Sequence, residues 1–393
     1  MSKDGTSEVP FEDMMKAGLY IHIPFCASRC IYCGFYSIVR PDLQDRYVNA
    51  LCREMDLWSA RGSDGPATLA TIYLGGGTPS QLSAANLERL FQHIYKVYDV
   101  APDAEVTMEC NPDDVSRHMF DHLPVNRVSM GAQTFDDDRL RFLHRRHTAS
   151  EVDRAVEDLR ADGISNVSLD LMFGFPEERL DDWDADIRHA LKLRPEHLSA
   201  YGLMIEEGTP LYWLWERGDV HEASEEISLR MYDTLINQLT AAGYEHYEIS
   251  NFARLAPGDK RVSRYRSRHN SSYWQDVPYV GLGAAAHSYD LRTRRWNPSD
   301  IKRYMEQVER GILPYEEEVI DGDTHYDDIV TTALRTREGI DLDRLDEQHR
   351  GYLLSNAKDY IERKLLRIDG HHLSLTRQGI NISNTIMSDL MDV

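Results

Sequence analysis

The stretch Tyr20-Ile21-His22-Ile23-Pro24-Phe25-Cys26-Ala27-Ser28-Arg29-Cys30-Ile31-Tyr32-Cys33 decides the fold of this chain. It holds three of the five cysteines within eight residues, at the spacing C-x3-C-x2-C. The preceding run, Leu19 to Ile23, alternates apolar and polar side chains, which is typical of a short β-strand. The cysteines therefore follow a strand directly, in the kind of loop where α/β proteins place their functional groups.

Three thiols at this spacing indicate a metal site. Thiolates are soft ligands that suit zinc or iron–sulfur clusters. Zinc would need a fourth ligand, for which His22 is the nearest candidate. A four-iron cluster held by three cysteines would keep one iron open to an exchangeable ligand. A disulfide fits less well because it would leave an odd thiol, so the residues alone leave zinc and iron–sulfur as alternatives.

Composition and charge exclude several classes of function. The chain has 393 residues, ordinary hydrophobic content (41%) and a net charge of −22. Such an acidic protein is a poor general binder of nucleic acid or of anionic lipid. The first 18 residues carry no apolar signal core, and no run approaches the roughly 18–20 apolar residues of a membrane span. We therefore expect a soluble cytoplasmic protein with reduced thiols, whose contact with a membrane would be peripheral.

Six predicted strands alternate with helices over the first half of the chain. The strands are expected at 19–23, 70–74, 105–110, 127–131, 167–173 and 198–203, and the helices near 42–59, 83–98, 136–143, 149–162 and 180–193. Such alternation indicates parallel βα units. Because six units are too few for a closed eight-unit barrel, we expect an α/β fold with an open, partial (βα)6 barrel.

The second half is less regular. Helices are expected at 222–242 and 299–310, and a strand at 244–249. From residue 321, helices near 325–335 and 350–364 precede a hairpin made of 366–370 and 372–376. This order is typical of a C-terminal α+β, winged-helix-like module. We therefore predict four parts, which are an N-terminal tail (1–16), a core (17–250), a connecting region (251–320) and the C-terminal module (321–393).

Further polar motifs fall at the ends of the predicted strands. Gly75-Gly76-Gly77-Thr78-Pro79 follows the second strand, and its glycines allow backbone amides to approach a ligand closely. It is not a phosphate loop, because no Gly-Lys-Ser/Thr follows. Glu109, Gln133 and Asp170 mark the next three strands, and Arg145 follows the fourth. Each alone would be a rim residue or a salt bridge, but together they surround one barrel mouth.

These motifs in this order resemble the radical SAM proteins, in which S-adenosylmethionine (SAM) completes a 4Fe–4S cluster. The chain is similar to the family that contains oxygen-independent coproporphyrinogen oxidase and the HemW-type heme chaperone. The shared motifs are Tyr-Ile-His-Ile-Pro-Phe-Cys, Gly-Gly-Gly-Thr-Pro, Glu-x-Asn-Pro, Gly-Ala-Gln-Thr-Phe and Asp-Leu-Met-Phe-Gly-Phe-Pro. The resemblance runs from about residue 18 to the C-terminus, and it favours the cluster over zinc.

The resemblance implies a set of cofactor-binding residues. Cys26, Cys30 and Cys33 would hold the 4Fe–4S cluster. The implied SAM contacts are Tyr20, Tyr32, Gly76, Gly77, Thr78, Glu109, Gln133, Arg145 and Asp170, with Met204 as a weaker candidate that would contact adenine. Glu109 and Asp170 can accept hydrogen bonds from hydroxyl or amine groups, and Arg145 can bind a carboxylate through two nitrogens.

Two features distinguish the branches of this family. The oxidase has a further cysteine two residues after the third cluster cysteine and a longer N-terminal region, whereas this chain has Phe35 there and begins its cluster motif at Cys26. The hexapeptide 269–274, His-Asn-Ser-Ser-Tyr-Trp, resembles the HNxxYW motif of the heme chaperone branch. By that resemblance His269 would bind heme. Apart from the motif, His287 in Gly-Ala-Ala-Ala-His-Ser-Tyr is a second candidate ligand.

The residues around this motif allow two interpretations. An imidazole is a common axial ligand of heme iron, and the basic run 260–268 could pair with heme propionates. In the alternative interpretation, His269 and Trp274 are core residues and the arginines form a solvated face.

The resemblance implies a heme chaperone with heme, SAM and a 4Fe–4S cluster as its cofactors. Its partner would be a heme-accepting protein such as a respiratory cytochrome. Whether the chain also acts as an enzyme stays open, with a chaperone favoured. The alternatives are an oxygen-independent coproporphyrinogen III dehydrogenase and a radical SAM enzyme acting on another substrate with a purely structural HNxxYW motif.

Overall fold

The computed structural model describes residues 16–61 and 68–392. The predicted N-terminal tail lies outside the described residues, apart from Lys16. The first half contains β1 (Lys16–Ile23), α1 (Gln44–Ala60), β2 (Thr68–Gly76), α2 (Ala84–Val97), β3 (Val100–Cys110), β4 (Arg127–Gln133), α3 (Asp137–Phe142), α4 (Ala149–Ala161), β5 (Val167–Phe173), α5 (Leu180–Leu193) and β6 (His197–Gly202).

The second half adds shorter strands and a helical C-terminal part. Its elements are α6 (Pro210–Glu216), α7 (Glu225–Ala241), β7 (Tyr244–Glu248), β8 (Asn251–Arg254), α8 (Arg268–Trp274), β9 (Tyr279–Leu282), β10 (His287–Tyr289), β11 (Thr293–Trp296), α9 (Ile301–Glu309), β12 (Glu316–Val319), α10 (Gly322–Ala333), β13 (Ile340–Asp341), α11 (Glu347–Glu362), β14 (Leu366–Asp369), β15 (His372–Leu375), α12 (Arg377–Ile380) and α13 (Ser383–Leu390).

The main sheet confirms the predicted partial barrel. Its strand order is β12-β11-β10-β9-β1-β2-β3-β4-β5-β6-β8-β7, and β1 to β6 run parallel in sequence order. The carboxyl ends of these six strands therefore lie along one edge, which forms the barrel mouth. The region predicted as a connection, 251–320, supplies β8 and β9 to β12 to the same sheet. The predicted domain boundaries stay predictions.

Alternation along the strands separates an apolar outer face from a polar interior. In β1, Leu19, Ile21 and Ile23 are fully buried in the main hydrophobic core. The residues between them point to the opposite side, because successive strand side chains alternate. There Tyr20 stacks on Tyr73 of β2, with 6.2 Å between the ring centroids. The barrel interior is thus lined by side chains that can hold or contact a polar ligand.

The C-terminal module has its own apolar core and a three-stranded sheet in the order β13-β15-β14. It contacts the barrel side of the molecule through α8, where the guanidinium of Arg335 lies 4.9 Å from the centroid of the Trp274 ring. The same Arg335 pairs with Glu248 at the end of β7, at 2.8 Å. Within the described parts of the chain, no helix has the length and apolar character that crossing a membrane requires.

Candidate functional site

The cysteine loop is held at the barrel mouth by backbone hydrogen bonds. The amide of Cys26 donates to the carbonyl of Ile38 at 2.9 Å, and the amide of Ile38 donates to the carbonyl of Pro24 at 2.7 Å. Cys26, Cys30 and Cys33 are all free and partly buried. Burial raises the pKa of the Cys26 and Cys33 thiols. A bound iron cluster would offset this effect, because coordination to a metal deprotonates a thiol.

The glycine motif packs directly against the cysteine loop. The amide of Gly77 donates to the carbonyl of Ile23, and the amide of Thr78 donates to the carbonyl of Phe25, both at 2.8 Å. A Cβ on Gly77 would lie 2.8 Å from the backbone carbon of Pro24, so only glycine fits there. The hydroxyl of Thr78 lies 3.6 Å from the sulfur of Cys26.

His22 supports this loop and offers no free nitrogen to a metal. Its Nε2 lies 2.9 Å from the carbonyl oxygen of Tyr36, and its Nδ1 lies 3.1 Å from the hydroxyl of Tyr20. The ring also sits against Gly76, whose φ is +110° and where a Cβ would lie 2.4 Å from the Cε1 atom of His22. The zinc alternative therefore lacks the fourth ligand that the sequence suggested.

Glu109 and Asp170 lie deep in the molecule at the barrel mouth, and both keep part of their surface accessible. Glu109 accepts hydrogen bonds from the hydroxyl of Tyr73 at 2.7 Å and from the amide of Gly76 at 3.1 Å. Asp170 accepts one from the hydroxyl of Ser129 at 3.3 Å. Burial raises the pKa of Glu109 to about 7, and burial also raises the pKa of Asp170.

Arg145 joins the carboxyl ends of β3 and β4 to the cysteine loop. Its Nη2 donates to the side-chain oxygen of Asn111 at 2.8 Å and to the carbonyl of Gly131 at 2.7 Å. Its Nη1 lies 3.6 Å from the sulfur of Cys30. Its Nε is buried and has no hydrogen-bond partner among the described residues. Nη1 and Nη2 of the guanidinium therefore contact other residues of the protein, whereas Nε does not.

Gln133 lies beside this guanidinium, at a break in the pairing of β4 with β5. Its φ is +66°, and a Cβ on Gly131 would lie 2.7 Å from its Nε2. This backbone turn brings the amide of Gln133 back over the strand end.

The remaining predicted SAM contacts lie around the rim. Tyr20 points into the barrel from β1, and Tyr32 packs against the buried cluster of Leu143, Met172 and Phe175. Met204 is 66% exposed beside a cavity of about 310 Å³ at the ends of β5 and β6. The structure thus brings the cysteines, Thr78, Glu109, Gln133, Arg145 and Asp170 to one edge, with Met204 at its border.

Sequence reasoning missed several residues that hold this site together. Tyr73 and Ser129 orient the two carboxylates, and Asn111 bridges Arg145 and Thr78, which lies 3.4 Å from its amide nitrogen. The available signal was strand alternation, since Tyr73 and Ser129 occupy the inward positions of β2 and β4. The asparagine belongs to the Glu-x-Asn-Pro motif but had no role assigned.

The HNxxYW motif lies at the opposite end of the barrel. Its helix α8 begins with the amides of Arg268 and His269 donating to the carboxylate of Glu105, at 3.0 Å each. His269 is 1% exposed, with Nδ1 2.8 Å from the hydroxyl of Thr71 and Nε2 2.7 Å from the hydroxyl of Tyr273. Burial lowers the pKa of His269 to about 3, so the imidazole is neutral.

The hydrogen bonds of His269 restrict how this residue could bind heme. Both nitrogens of His269 are hydrogen-bonded, so ligation of an iron by this residue requires Tyr273 to move away. In the basic run, Arg264 pairs with Asp259 at 3.0 Å and Arg266 with Glu245 at 2.6 Å. These charges are thus already balanced within the protein. His287, the second candidate, is exposed on β10.

Comparison with known proteins agrees with this arrangement. Residues 20–190 match the model of the radical SAM superfamily, and residues 320–382 match the HemN C-terminal domain. Among curated proteins, the chain is 34% identical to the heme chaperone HemW of Bacillus subtilis, over 93% of this chain and 97% of that protein. It is 36% identical to the heme chaperone HemW of Escherichia coli, over 68% of this chain and 69% of that protein.

Among solved structures, the coproporphyrinogen III oxidase HemN of Escherichia coli superimposes with a TM-score of 0.81. That comparison covers 97% of this chain and 91% of the oxidase at 21% identity, so it shows the fold alone. The curated relative from Bacillus subtilis extends over 93% of the chain at higher identity. This chain therefore belongs to the HemW family of radical SAM proteins.

Proposed function

We propose that this protein is a cytoplasmic heme chaperone that binds heme and transfers it to an acceptor protein. The observation that carries this proposal is the match to the heme chaperone HemW of Bacillus subtilis over 93% of the chain. The acceptor would be a respiratory heme protein such as a cytochrome. Phe35, which stands where the oxidase has a further cysteine, is 71% exposed beside the cysteine loop and supports the chaperone assignment.

The residues at the barrel mouth fit a 4Fe–4S cluster and SAM. Cys26, Cys30 and Cys33 would supply the thiolates. The glycine motif would present backbone amides to the methionyl part of SAM, and Glu109 and Asp170 would accept from its hydroxyl and amine groups. When bound, the cluster and SAM supply one-electron chemistry, which makes a reductive cleavage of SAM available.

The heme site would use His269 after a local rearrangement. The neutral imidazole is the form that binds iron, and burial already holds it in that form. Release of the bond to Tyr273 would free Nε2, the nitrogen that faces away from Thr71. The neighbouring rings of Tyr20 and Tyr73 stack on this imidazole and could flank a porphyrin.

Two assays on the reconstituted protein test the proposal. Heme titration and transfer to an apo-cytochrome should show binding and release, and His269→Ala should lose most of the heme affinity. His122→Ala, an exposed histidine outside the described helices and strands, is the matched control. An anaerobic assay with coproporphyrinogen III runs in parallel, and formation of protoporphyrinogen at useful rates would overturn the chaperone assignment.

A further inference from the structure

Arg127 is a guanidinium enclosed within the barrel. It lies at the start of β4 and is 1% exposed. Its Nε has no hydrogen-bond partner among the residues that the structure describes. A buried charge without a direct partner is costly unless nearby charges compensate it. The groups around Arg127 must therefore supply the compensating charge.

The strand register places Arg127 one interior layer below the proposed SAM carboxylates. Arg127 is level with Thr107 of β3, and two residues further along β4 Ser129 is level with Glu109. Ser129 also donates to Asp170 of β5 at 3.3 Å. Because alternate strand residues share one face, Arg127 and Ser129 both point into the barrel, and Arg127 lies one layer beneath the two carboxylates.

Only two of the titratable groups that the structure describes around Arg127 can carry a negative charge near neutral pH. The charge of Arg127 interacts electrostatically with one titratable side chain on each of six elements. These are Tyr73 of β2, Glu109 of β3, Asp170 of β5, His197 of β6, Tyr247 of β7 and His269 of α8. Burial lowers the pKa of both histidines, so they are neutral at pH 7. Two tyrosines and two neutral histidines leave the carboxylates as the only groups of this set that can balance the guanidinium.

The interaction favours ionisation of both carboxyl groups. Burial raises the pKa of Glu109 and Asp170, and the positive charge of Arg127 opposes that effect at each of them. Arg145 adds a second positive charge near Asp170, but it lies at the mouth and donates to Asn111 and Gly131. Arg127 is the charge that reaches both carboxylates from below.

We propose that Arg127 is a positioning residue for SAM, which holds Glu109 and Asp170 as carboxylates able to accept hydrogen bonds from the hydroxyl and amine groups of SAM. This inference rests on the SAM site of the proposed function. It predicts that the charge of Arg127 affects SAM affinity, although a layer of side chains separates Arg127 from the proposed SAM site.

The test compares the pH dependence of SAM binding. Wild type, Arg127→Met and Arg127→Lys are reconstituted anaerobically, matched for iron content, and titrated with labelled SAM by equilibrium dialysis between pH 6 and 8.5. In the wild type, affinity should rise with pH as Glu109 ionises. In Arg127→Met this rise should move up by about one pH unit, with an affinity about fivefold lower at pH 7, and Arg127→Lys should keep the wild-type profile.

Thr107→Val is the matched control, because its buried hydroxyl is level with Arg127 and has no partner among the described residues. It should bind SAM as the wild type does. An Arg127→Met profile identical to wild type, or an affinity loss that is equal at every pH, would overturn the inference. If Arg127→Met does not fold, Arg127→Gln carries the same comparison. Failure of the wild type itself to bind SAM would instead overturn the proposed function.

Discussion

The ring of Tyr73 stacks on the ring of His269, with 5.0 Å between the ring centroids and 24° between the planes. The hydroxyl of the same Tyr73 donates to Oε1 of Glu109 at 2.7 Å. One side chain thus contacts a proposed SAM ligand at the barrel mouth and the histidine of the HNxxYW motif at the opposite end. The two halves of the proposed function are therefore joined by direct contacts.

Tyr73→Phe should separate these two roles. It removes the hydrogen bond to Glu109 but keeps the stacked ring, so we expect SAM affinity to fall about fivefold while heme affinity is unchanged. Equilibrium dialysis with SAM and Soret titration with heme measure the two effects. Tyr98→Phe removes a buried hydroxyl that has no partner in the described ranges, and it should change neither affinity. An equal loss of both affinities would contradict the separation.

Glu109 should make stability depend on pH. Its pKa is about 7 in the folded protein and near 4.5 when unfolded, so the folded state holds the proton more tightly. The resulting stabilisation is present below pH 4.5 and is lost as pH rises through 7. Glu109→Gln removes this dependence, and its stability relative to the wild type should increase by about 2 kcal/mol between pH 5 and pH 8. Urea unfolding of the cluster-free protein at both pH values measures the difference, and a constant difference would refute it.

Gly77→Ala should disrupt the cysteine loop. Its Cβ would meet three backbone atoms of residues 23–25 at 2.8–2.9 Å, and backbone cannot move away as a flexible side chain can. We expect a destabilisation of about 2 kcal/mol and loss of most of the iron after anaerobic reconstitution. Gly351→Ala, at a helical position with nothing within 4 Å of the new Cβ, should keep full iron content. Normal iron binding by Gly77→Ala would show that the loop tolerates the shift.

Tyr273→Phe should strengthen heme binding. The variant frees Nε2 of His269 from its 2.7 Å hydrogen bond without removing the ring, so the cost of exposing the imidazole to iron falls. We expect an affinity about three- to tenfold higher, measured by Soret titration. Tyr279→Phe, whose ring packs 4.6 Å from that of Tyr273, is the control and should behave as wild type. Unchanged heme affinity in Tyr273→Phe would exclude this hydrogen bond as a barrier.

Arg335→Ala should loosen the C-terminal module. Glu248 has a fully buried side chain, and removing its partner leaves a buried carboxylate without its ion pair. The loss of free energy of unfolding should be about 3 kcal/mol. Arg363→Ala breaks an exposed pair with Asp359 and should cost less than about 1 kcal/mol. Similar losses in both variants would show that this contact does not hold the module.

Much of the barrel could be predicted from periodicity. The residues predicted for the fifth strand, 167–173, and for the fifth helix, 180–193, coincide with β5 and α5. The apolar periodicity of each segment follows from which of its own side chains are buried, so it can be read from the sequence alone. The strands β9 to β12 were missed, because each is three or four residues long and is stabilised by partners distant in sequence.

The site residues also fall into those that could be predicted from the sequence and those that could not. Residues in motifs at strand ends could be placed at the mouth, because parallel strands end at one edge. The surroundings of His269 could not be predicted, since nothing local to 269–274 reveals that Glu105 and Thr71 enclose it. Arg127 was missed because a charged residue at the start of a strand normally reaches solvent.

The pairing of β1 on both sides has a consequence for synthesis of the chain. β1 pairs with β2 soon after it is made, but its other partner, β9, is 261 residues further along, from Leu19 to the partnered Val280. Until that segment leaves the ribosome, the strand that carries the cysteine loop has one open edge that can pair with another chain. A nascent chain halted before residue 279 therefore leaves this edge of β1 open to pairing with other chains and to aggregation.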